Sequence, residues 1–295
     1  MTTAENEMAH GGAVQSTDGV QIAVHDLGGD GTPLLISHAT GFHGRCYIPL
    51  ADALSNSFHS TAFDYRGHGD TPRPEGAIEW DRYGDDAVAM ATWLVEQTGA
   101  PIDAFGHSMG GACLLMAAHR APELFRRLVV FEPIVFPPGG IGDAPPEGAD
   151  NFESPMAIGA RRRRSTFASY DAAIANFAGK PPLNAFTPEA LDAYVRFGFA
   201  EGPDGAVHLK CAPETEADTF ATGGRHTTWE HLPSIDTEVL VIAGVLQPMQ
   251  PSMIAGPVAD KLPNGRYVQR DDLDHFGPMT HPLEIAALIS AELSR

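Results

Sequence analysis

The chain has 295 residues, of which 43% are hydrophobic, so it is long enough for one large α/β domain or for a domain with an insertion. Its net charge of −19, from 38 acidic and 19 basic residues, predicts a surface that repels phosphate backbones and excludes nucleic acid as the principal partner. No apolar run of about 18 residues is present, and residues 1–10 lack a basic start and an apolar stretch. We therefore expect neither a membrane span nor a signal peptide.

The cysteines are odd in number and far apart in the sequence: Cys46, Cys113 and Cys211. None of them has the Cys/His spacing of a metal site, so free thiols in a reducing compartment are the favoured interpretation. This predicts a cytoplasmic protein that needs no metal or cofactor. The sequence leaves the oligomeric state open, a homo-oligomer included.

In the first 133 residues, short apolar segments alternate with helical patterns. The predicted strands lie within 20–29, 33–39, 57–67, 101–108 and 125–133, and the predicted helices lie in the 80s and 90s and over 110–121. Pro122 is expected to stop the second helix. Strands that alternate with helices predict a mostly parallel sheet with helices on both faces.

The pattern changes between residues 134 and 232. A Pro- and Gly-rich stretch at 137–155 precedes Phe167, Tyr170, Ile174 and Phe177 at helical spacing. Thr187 and Pro188 then form an N-cap and first position for another helix. The strand–helix alternation returns at 237–244, continues at 265–278 and ends in a helix over 282–293. We predict an α/β core formed by 1–133 and 233–295, with a helical cap inserted at 134–232.

A run of arginines, Arg161 to Arg164, stands at the start of the predicted cap helices. Such a run can hold an anionic substrate, or it can form a solvated helix end on an acidic protein. The second interpretation is favoured.

The stretch Gly106-His107-Ser108-Met109-Gly110 has the pattern G-x-S-x-G between a predicted buried strand and a predicted helix. In this context the pattern is typical of a sharp turn that exposes a serine nucleophile, with glycines where side chains would collide. The helix N-terminus behind Ser108 favours negative charge that develops nearby.

With this turn, the chain resembles the α/β-hydrolase fold over nearly its whole length. The similar segments are GHSMGG at 106–111, DYRGHGDT at 64–71, HATGFHG at 38–44 and LDHFGPM at 273–279. Ala39 replaces the glycine that is usual in the family's oxyanion loop. The resemblance implies that fold, a mostly parallel sheet flanked by helices, and a hydrolytic activity.

The resemblance also implies roles for single residues. Ser108 would be the nucleophile and His275 its general base, while His38, His68 and His107 are expected to make structural hydrogen bonds. The oxyanion would be bound by backbone N–H groups.

For that oxyanion hole we predict the backbone N–H groups of Met109, directly after the nucleophile, and Thr40. Gly41 is the nearest alternative to Thr40.

The third residue of the catalytic triad implied by the resemblance, an acid that supports His275, has no candidate at its usual position in the family. Its usual position follows the strand at 237–244, but the chain reads Gly244-Val245-Leu246-Gln247 there, and no carboxylate occurs from 239 to 259. Some branches of the family, among them certain haloalkane dehalogenases, place the acid one strand earlier, at the position of Glu132. We therefore predict Glu132.

Two alternatives to that assignment stay open. Glu132 could instead cap its strand or pair with an arginine, and one of the carboxylates that precede His275 could assist the imidazole. Those carboxylates are Asp271, Asp272 and Asp274.

A serine nucleophile, rather than the aspartate of dehalogenases and epoxide hydrolases, predicts acyl transfer. We expect a small, partly apolar carboxylic ester or lactone, since the cap contains Phe167, Tyr170, Phe177, Phe186 and Phe197. Most of these aromatics are expected to form the core of the cap. Amides, thioesters and C–C bonds are alternative substrates, and a cofactor-free haloperoxidase-like enzyme or a non-hydrolytic binding protein is an alternative function.

Overall fold

The computed structural model describes residues 12–138 and 154–295, so most of the Pro- and Gly-rich stretch at 137–155 lies outside the described residues. The strands are β1 (Ala13–Gln15), β2 (Gln21–Gly28), β3 (Thr32–Ser37), β4 (Phe58–Phe63), β5 (Ile102–His107), β6 (Phe125–Phe131), β7 (Thr166–Phe167), β8 (Phe199–Glu201), β9 (Val207–Leu209), β10 (Glu238–Ala243) and β11 (Gly265–Gln269). Every strand predicted for the core is present.

The α-helices are α1 (Ile48–Leu54), α2 (Trp80–Thr98), α3 (Met109–Arg120), α4 (Pro155–Arg161), α5 (Tyr170–Ala178), α6 (Pro188–Gly198), α7 (Pro213–Thr222), α8 (Thr228–His231), α9 (Ser252–Lys261), α10 (Gly277–Thr280) and α11 (Pro282–Leu293). As predicted, α3 ends before Pro122, and the Thr187 hydroxyl caps α6 by accepting a hydrogen bond from Ala190 N–H. In the part of the chain that the structure describes, no helix is both long and apolar enough to cross a bilayer.

The central sheet has eight strands in the order β1-β2-β4-β3-β5-β6-β10-β11. The pairs β1–β2 and β2–β4 are antiparallel, and the other neighbours are parallel. This confirms the mostly parallel sheet. Because β3, β5, β6 and β10 run in the same direction, the residues that follow them meet at one edge of the sheet, where open α/β sheets hold their ligands.

Helices cover both faces of this sheet. Successive residues of a strand face opposite sides, so Leu35 packs with α2 and α3, while Leu34 packs with α1 and α11. Both faces are therefore buried, which explains why the parallel strands read as continuous apolar runs. The cysteines Cys46, Cys113 and Cys211 are buried free thiols.

The segment between β6 and β10 contains α4 to α8 and a small antiparallel sheet in the order β7-β9-β8. The helical spacing that included Phe167 was misleading at its first position, because Phe167 lies in β7 and α5 begins at Tyr170. The division into a core domain and a cap domain stays a prediction. The segment does contact the sheet edge, since Phe186 stacks on Phe42 with ring centroids 6.0 Å apart.

Candidate active site

Ser108 lies at the junction of β5 and α3, in a backbone conformation that residues other than glycine rarely adopt. Its φ and ψ are 55° and −114°, and it is 6% exposed. The main chain holds it on both sides: Ser108 N–H donates to the Phe131 carbonyl at 2.9 Å, and its own carbonyl accepts from Ala112 N–H at 3.1 Å. The surrounding hydrogen bonds therefore enforce a strained conformation, which is typical of functional residues.

The two glycines of the pattern are required by close backbone contacts. A Cβ on Gly106 would lie 2.7 Å from Gly111 Cα, and a Cβ on Gly110 would lie 2.2 Å from the Ser37 carbonyl oxygen. Only glycine fits at either position. The sequence pattern thus reflects the crossing of β5, α3 and the end of β3 at one point.

Glu132 follows β6, also with a positive φ of 46°, and is 1% exposed. Its Oε2 lies 2.6 Å from Nδ1 of His275, and its Oε1 accepts a hydrogen bond from Gly244 N–H at 2.8 Å. Gly244 follows β10, where the family usually has its acid. The Glu132 carboxylate therefore reaches the imidazole from the neighbouring strand, in the contact that the sequence predicts.

The carboxylates that precede His275 are engaged elsewhere. Asp271 accepts a hydrogen bond from the Gln269 amide, and Asp272 pairs with Arg270. Asp274 Oδ1 accepts from Phe276 N–H at 2.9 Å. The structure therefore places Glu132, and not these three side chains, against the imidazole.

Ser108 and His275, the nucleophile and the base that the sequence predicts, are not directly bonded in the structure. Among the described residues, the Ser108 hydroxyl makes no hydrogen bond with the His275 ring. The rings of His107 and His275 lie 5.1 Å apart, and His107 directly precedes Ser108. In free enzymes the hydrogen bond between nucleophile and base is often long, and it tightens when substrate binds.

Thr40 lies in the loop after β3, and the end of β3 contacts the first turn of α3. The Ser37 hydroxyl donates to the Gly110 carbonyl at 3.1 Å, which joins the end of β3 to this turn. Thr40 and Met109 are both buried. Within the described part of the chain, neither of their backbone N–H groups donates a hydrogen bond, and the same holds for Gly41, so the choice between Thr40 and Gly41 stays a prediction.

The histidines expected to be structural make backbone hydrogen bonds. His38 accepts from Tyr65 N–H, while Nδ1 of His68 lies 3.2 Å from the Arg66 carbonyl. Burial, followed by the nearby His68, lowers the pKa of His38 to about 3. The sequence did not reveal that His107 binds the backbone of His275, at 2.8 Å.

The aromatic residues of the predicted cap divide into two groups. Phe167 and Phe177 pack against each other inside the segment, with ring centroids 5.4 Å apart, as the core interpretation expects. Phe186 instead packs on Phe276, which follows His275, with centroids 5.6 Å apart. The apolar wall beside the imidazole thus comes partly from the loop before α6.

The arginine run is held by neighbours within the fold. Arg163 binds Glu216 at 2.6 Å, and the Arg164 guanidinium lies 4.3 Å from the centroid of the Phe167 ring. Arg161 contacts Asp218 at 3.4 Å. Arg161, Arg162 and Arg164 are exposed, as a solvated helix end predicts, whereas Arg163 is mostly buried in its pair with Glu216.

One group of side chains within the described residues has the spacing of metal ligands: His25, Asp64 and Asp70. Asp70 is already paired with Lys210 and Arg45, and Asp64 accepts hydrogen bonds from His25 and from backbone N–H groups. The two cations neutralise this cluster, so its donor set does not suit a metal ion.

Comparison with known proteins identifies the class. The model of the family described as "Alpha/beta hydrolase family" matches residues 34–288. The chain belongs to the α/β hydrolase family, which confirms the fold class and the resemblance.

Individual relatives include a hydrolase and a candidate bromoperoxidase, and a solved structure shares the fold. The chain is 31% identical to 2-(acetamidomethylene)succinate hydrolase of Mesorhizobium japonicum over 104 residues, which cover 35% of this chain and 36% of that protein. It is 26% identical to a candidate non-heme bromoperoxidase, BpoC of Mycobacterium tuberculosis, over 265 residues, which cover 88% of this chain and 92% of that one. A crystal structure of E-2-(acetamidomethylene)succinate hydrolase superposes with a TM-score of 0.74 at 21% identity, covering 97% of this chain and all of the other.

Proposed function

We propose that the chain is a serine hydrolase that cleaves a carboxylic ester or a lactone through an acyl-enzyme intermediate. The observation that carries this proposal is the 2.6 Å contact between Glu132 Oε2 and His275 Nδ1, at the sheet edge where the strained Ser108 stands. An aligned carboxylate and imidazole beside a strained serine form the arrangement that activates a hydroxyl nucleophile.

In this mechanism the Glu132 carboxylate accepts the Nδ1 proton of His275, which leaves Nε2 free as the base. Nε2 takes the Ser108 proton as the hydroxyl oxygen attacks the substrate carbonyl, and Glu132 stabilises the imidazolium that forms. The backbone N–H groups of Met109 and Thr40 would bind the oxyanion. The imidazolium then protonates the leaving alcohol, and water, deprotonated by the same ring, releases the acid.

The surroundings of His275 support a small and partly apolar substrate. Phe42, Phe186 and Phe276 form mutual ring contacts beside it, with centroids 5.6–6.2 Å apart. The buried free thiols support a reducing compartment, so we propose that the enzyme acts in the cytoplasm.

A second candidate function is a cofactor-free haloperoxidase-like activity. It is favoured by the similarity to the candidate bromoperoxidase, which extends over 88% of the chain. Peroxide-dependent halogenation that exceeds ester turnover would support it. The same serine and imidazole would serve both reactions, so only the comparison of rates separates them.

The experiment is covalent labelling with a fluorophosphonate, combined with turnover of p-nitrophenyl esters, lactones, amides and thioesters. We expect wild type to label at Ser108 and to turn over esters or lactones fastest. Ser108→Ala should lose labelling and about 10³-fold or more of kcat. The exposed Ser294→Ala is the control and should retain both. An unlabelled wild type without turnover on the panel would contradict the proposal.

A further inference from the structure

A chain of hydrogen bonds joins the loop after β3 to the backbone of His275. Ala39 N–H donates to Tyr47 Oη at 3.1 Å, and Tyr47 Oη lies 2.8 Å from Nδ1 of His107. Nε2 of His107 lies 2.8 Å from the carbonyl oxygen of His275. Tyr47 and His107 are fully buried, so the two bonds of Tyr47 are shielded from water, while the bond to the His275 carbonyl is partly buried.

The chemistry of the partners fixes the direction of every bond in this chain. The carbonyl of His275 can only accept, so Nε2 of His107 carries the proton. Nδ1 of the neutral ring is then an acceptor, and the Tyr47 hydroxyl must donate to it. The Tyr47 oxygen in turn accepts from Ala39 N–H, so each donor and each acceptor has a partner.

We propose that His107 is a positioning residue, whose Nε2–H holds the main chain of the general base while Tyr47 ties the same ring to the oxyanion loop. The proposal rests on the proposed function of Ser108 and His275. His107 precedes Ser108 and Ala39 precedes Thr40, so one chain of bonds sets the relative positions of nucleophile, base and oxyanion donor.

The low pKa of His107 keeps its ring neutral, and its hydrogen bonds unchanged, while His275 gains and loses a proton during the reaction. Burial, reinforced by the nearby His275, lowers the pKa of His107 well below its ordinary value. His107 therefore stays neutral in the range where an imidazole base titrates. A protonated His107 would place a second positive charge beside the imidazolium and would leave the Tyr47 hydroxyl without an acceptor.

Two variants of His107 test separately the hydrogen bonds made by its two ring nitrogens. The side-chain amide of His107→Gln can place an N–H near the position of Nε2, whereas that of His107→Asn reaches only the position of Nδ1. We expect His107→Asn to lower kcat about 10- to 100-fold with KM within about twofold, since small displacements of catalytic groups are costly. His107→Gln should recover most of that loss.

A control and a spectroscopic measurement accompany these variants. His119→Gln changes a histidine at the far end of α3, bound to Ser234, and should retain wild-type kcat. In ¹⁵N-histidine-labelled protein, His107 should remain the neutral Nε2–H tautomer from pH 5.5 to 8.5. Tyr47→Phe, which removes the hydroxyl, should lower kcat about 5- to 20-fold at unchanged KM. If neither His107 variant folds, this variant tests the positioning role.

The outcomes distinguish this proposal from the proposed function. If wild type is neither labelled by fluorophosphonate nor active, both proposals are wrong. If wild type is labelled at Ser108 and active, but His107→Asn and Tyr47→Phe keep its kcat, only the positioning role is wrong. An Nδ1–H or protonated His107, or a change confined to KM, would also overturn it.

Discussion

Ser108 and Glu132, at the scale of single residues, share a positive φ directly after neighbouring parallel strands. Such a conformation costs about 1–3 kcal/mol in a residue with a side chain, and it persists only where the surroundings enforce it. Here the backbone of each residue is anchored to the next strand, Ser108 N–H to Phe131 and Glu132 N–H to Ile242. Both residues therefore stand directly beyond the ends of their strands, at the same edge of the sheet.

The role of the Glu132 carboxylate can be tested by replacing one of its oxygens with an NH2 group. In Glu132→Gln, the side-chain oxygen can still accept from Gly244 N–H, but an amide N–H2 then faces Nδ1 of His275. This reverses the imidazole tautomer and puts a proton on Nε2, so we expect kcat to fall about 10³- to 10⁴-fold while the fold is retained.

Ester turnover and circular dichroism measure this effect, with Asp272→Asn as the control. Asp272 is exposed and bound to Arg270, and the control should keep wild-type kcat. Near-full activity of Glu132→Gln would show that another carboxylate serves the imidazole.

The sequence predicts some of these residues better than others, for physical reasons. Ser108 can be predicted because close backbone contacts require the glycines on both sides of it. Glu132 can be predicted because residues 239–259 contain no carboxylate. That His107 makes structural hydrogen bonds was expected, but the partners of those bonds could not be predicted. Its partner Tyr47 is 60 residues away in the chain, and the adjacent His275 carbonyl has no sequence signature.

At the scale of elements, the contact between α3 and the end of β3 fixes the turn at Ser108. Gly110→Ala places a methyl group 2.2 Å from the Ser37 carbonyl oxygen, and neither backbone can move without disturbing the sheet. We expect the free energy of unfolding to fall by about 3 kcal/mol or more, as in severe overpacking. Urea titration monitored by circular dichroism measures the loss.

Gly159→Ala is the matched control for this prediction. Gly159 lies in α4, and a Cβ there meets no atom within 4 Å. This substitution should leave stability unchanged or raise it by about 0.5–1 kcal/mol, since alanine favours the helix. Equal effects of the two substitutions would show that the close contact at Gly110 is not a constraint.

Elements of the core were predictable because burial on both faces leaves long apolar runs between glycine and proline turns. The small sheet of β7, β8 and β9 was not, since its strands have only two or three residues. Strands this short carry no readable alternation. Their pairing is decided by packing within the segment, as the contact of Phe167 with Phe199 at 5.8 Å shows.

At the scale of the whole molecule, several histidines are buried without charge around the sheet edge. His38 and His43 lie on the loop after β3, and His107 lies at the end of β5. The groups around His43 include Asp64, which raises its pKa, and Arg45, which lowers it, but burial has the largest effect. The fold thus depends on keeping these rings neutral.

This dependence predicts how stability changes with pH. Burial lowers the pKa values of His38 and His43 to about 3, from about 6.5 in the unfolded chain. Between these values the unfolded state binds more protons, so the stability that neutral histidines provide is fully present above about pH 6.5 and is lost as the pH falls toward 3. Each histidine should remove about 1.4 kcal/mol between pH 7.5 and 5.5.

Urea unfolding at pH 7.5, 6.5 and 5.5 measures this loss, in a range above the titration of ordinary carboxylates. His38→Gln removes one titrating ring and should make the pH dependence shallower by about 1.4 kcal/mol over that interval. His208→Gln, which changes an exposed ring in β9, is the control, and the wild-type dependence should persist in it. If the free energy of unfolding is the same at pH 7.5 and pH 5.5, the buried histidines do not set the acid limit of this fold.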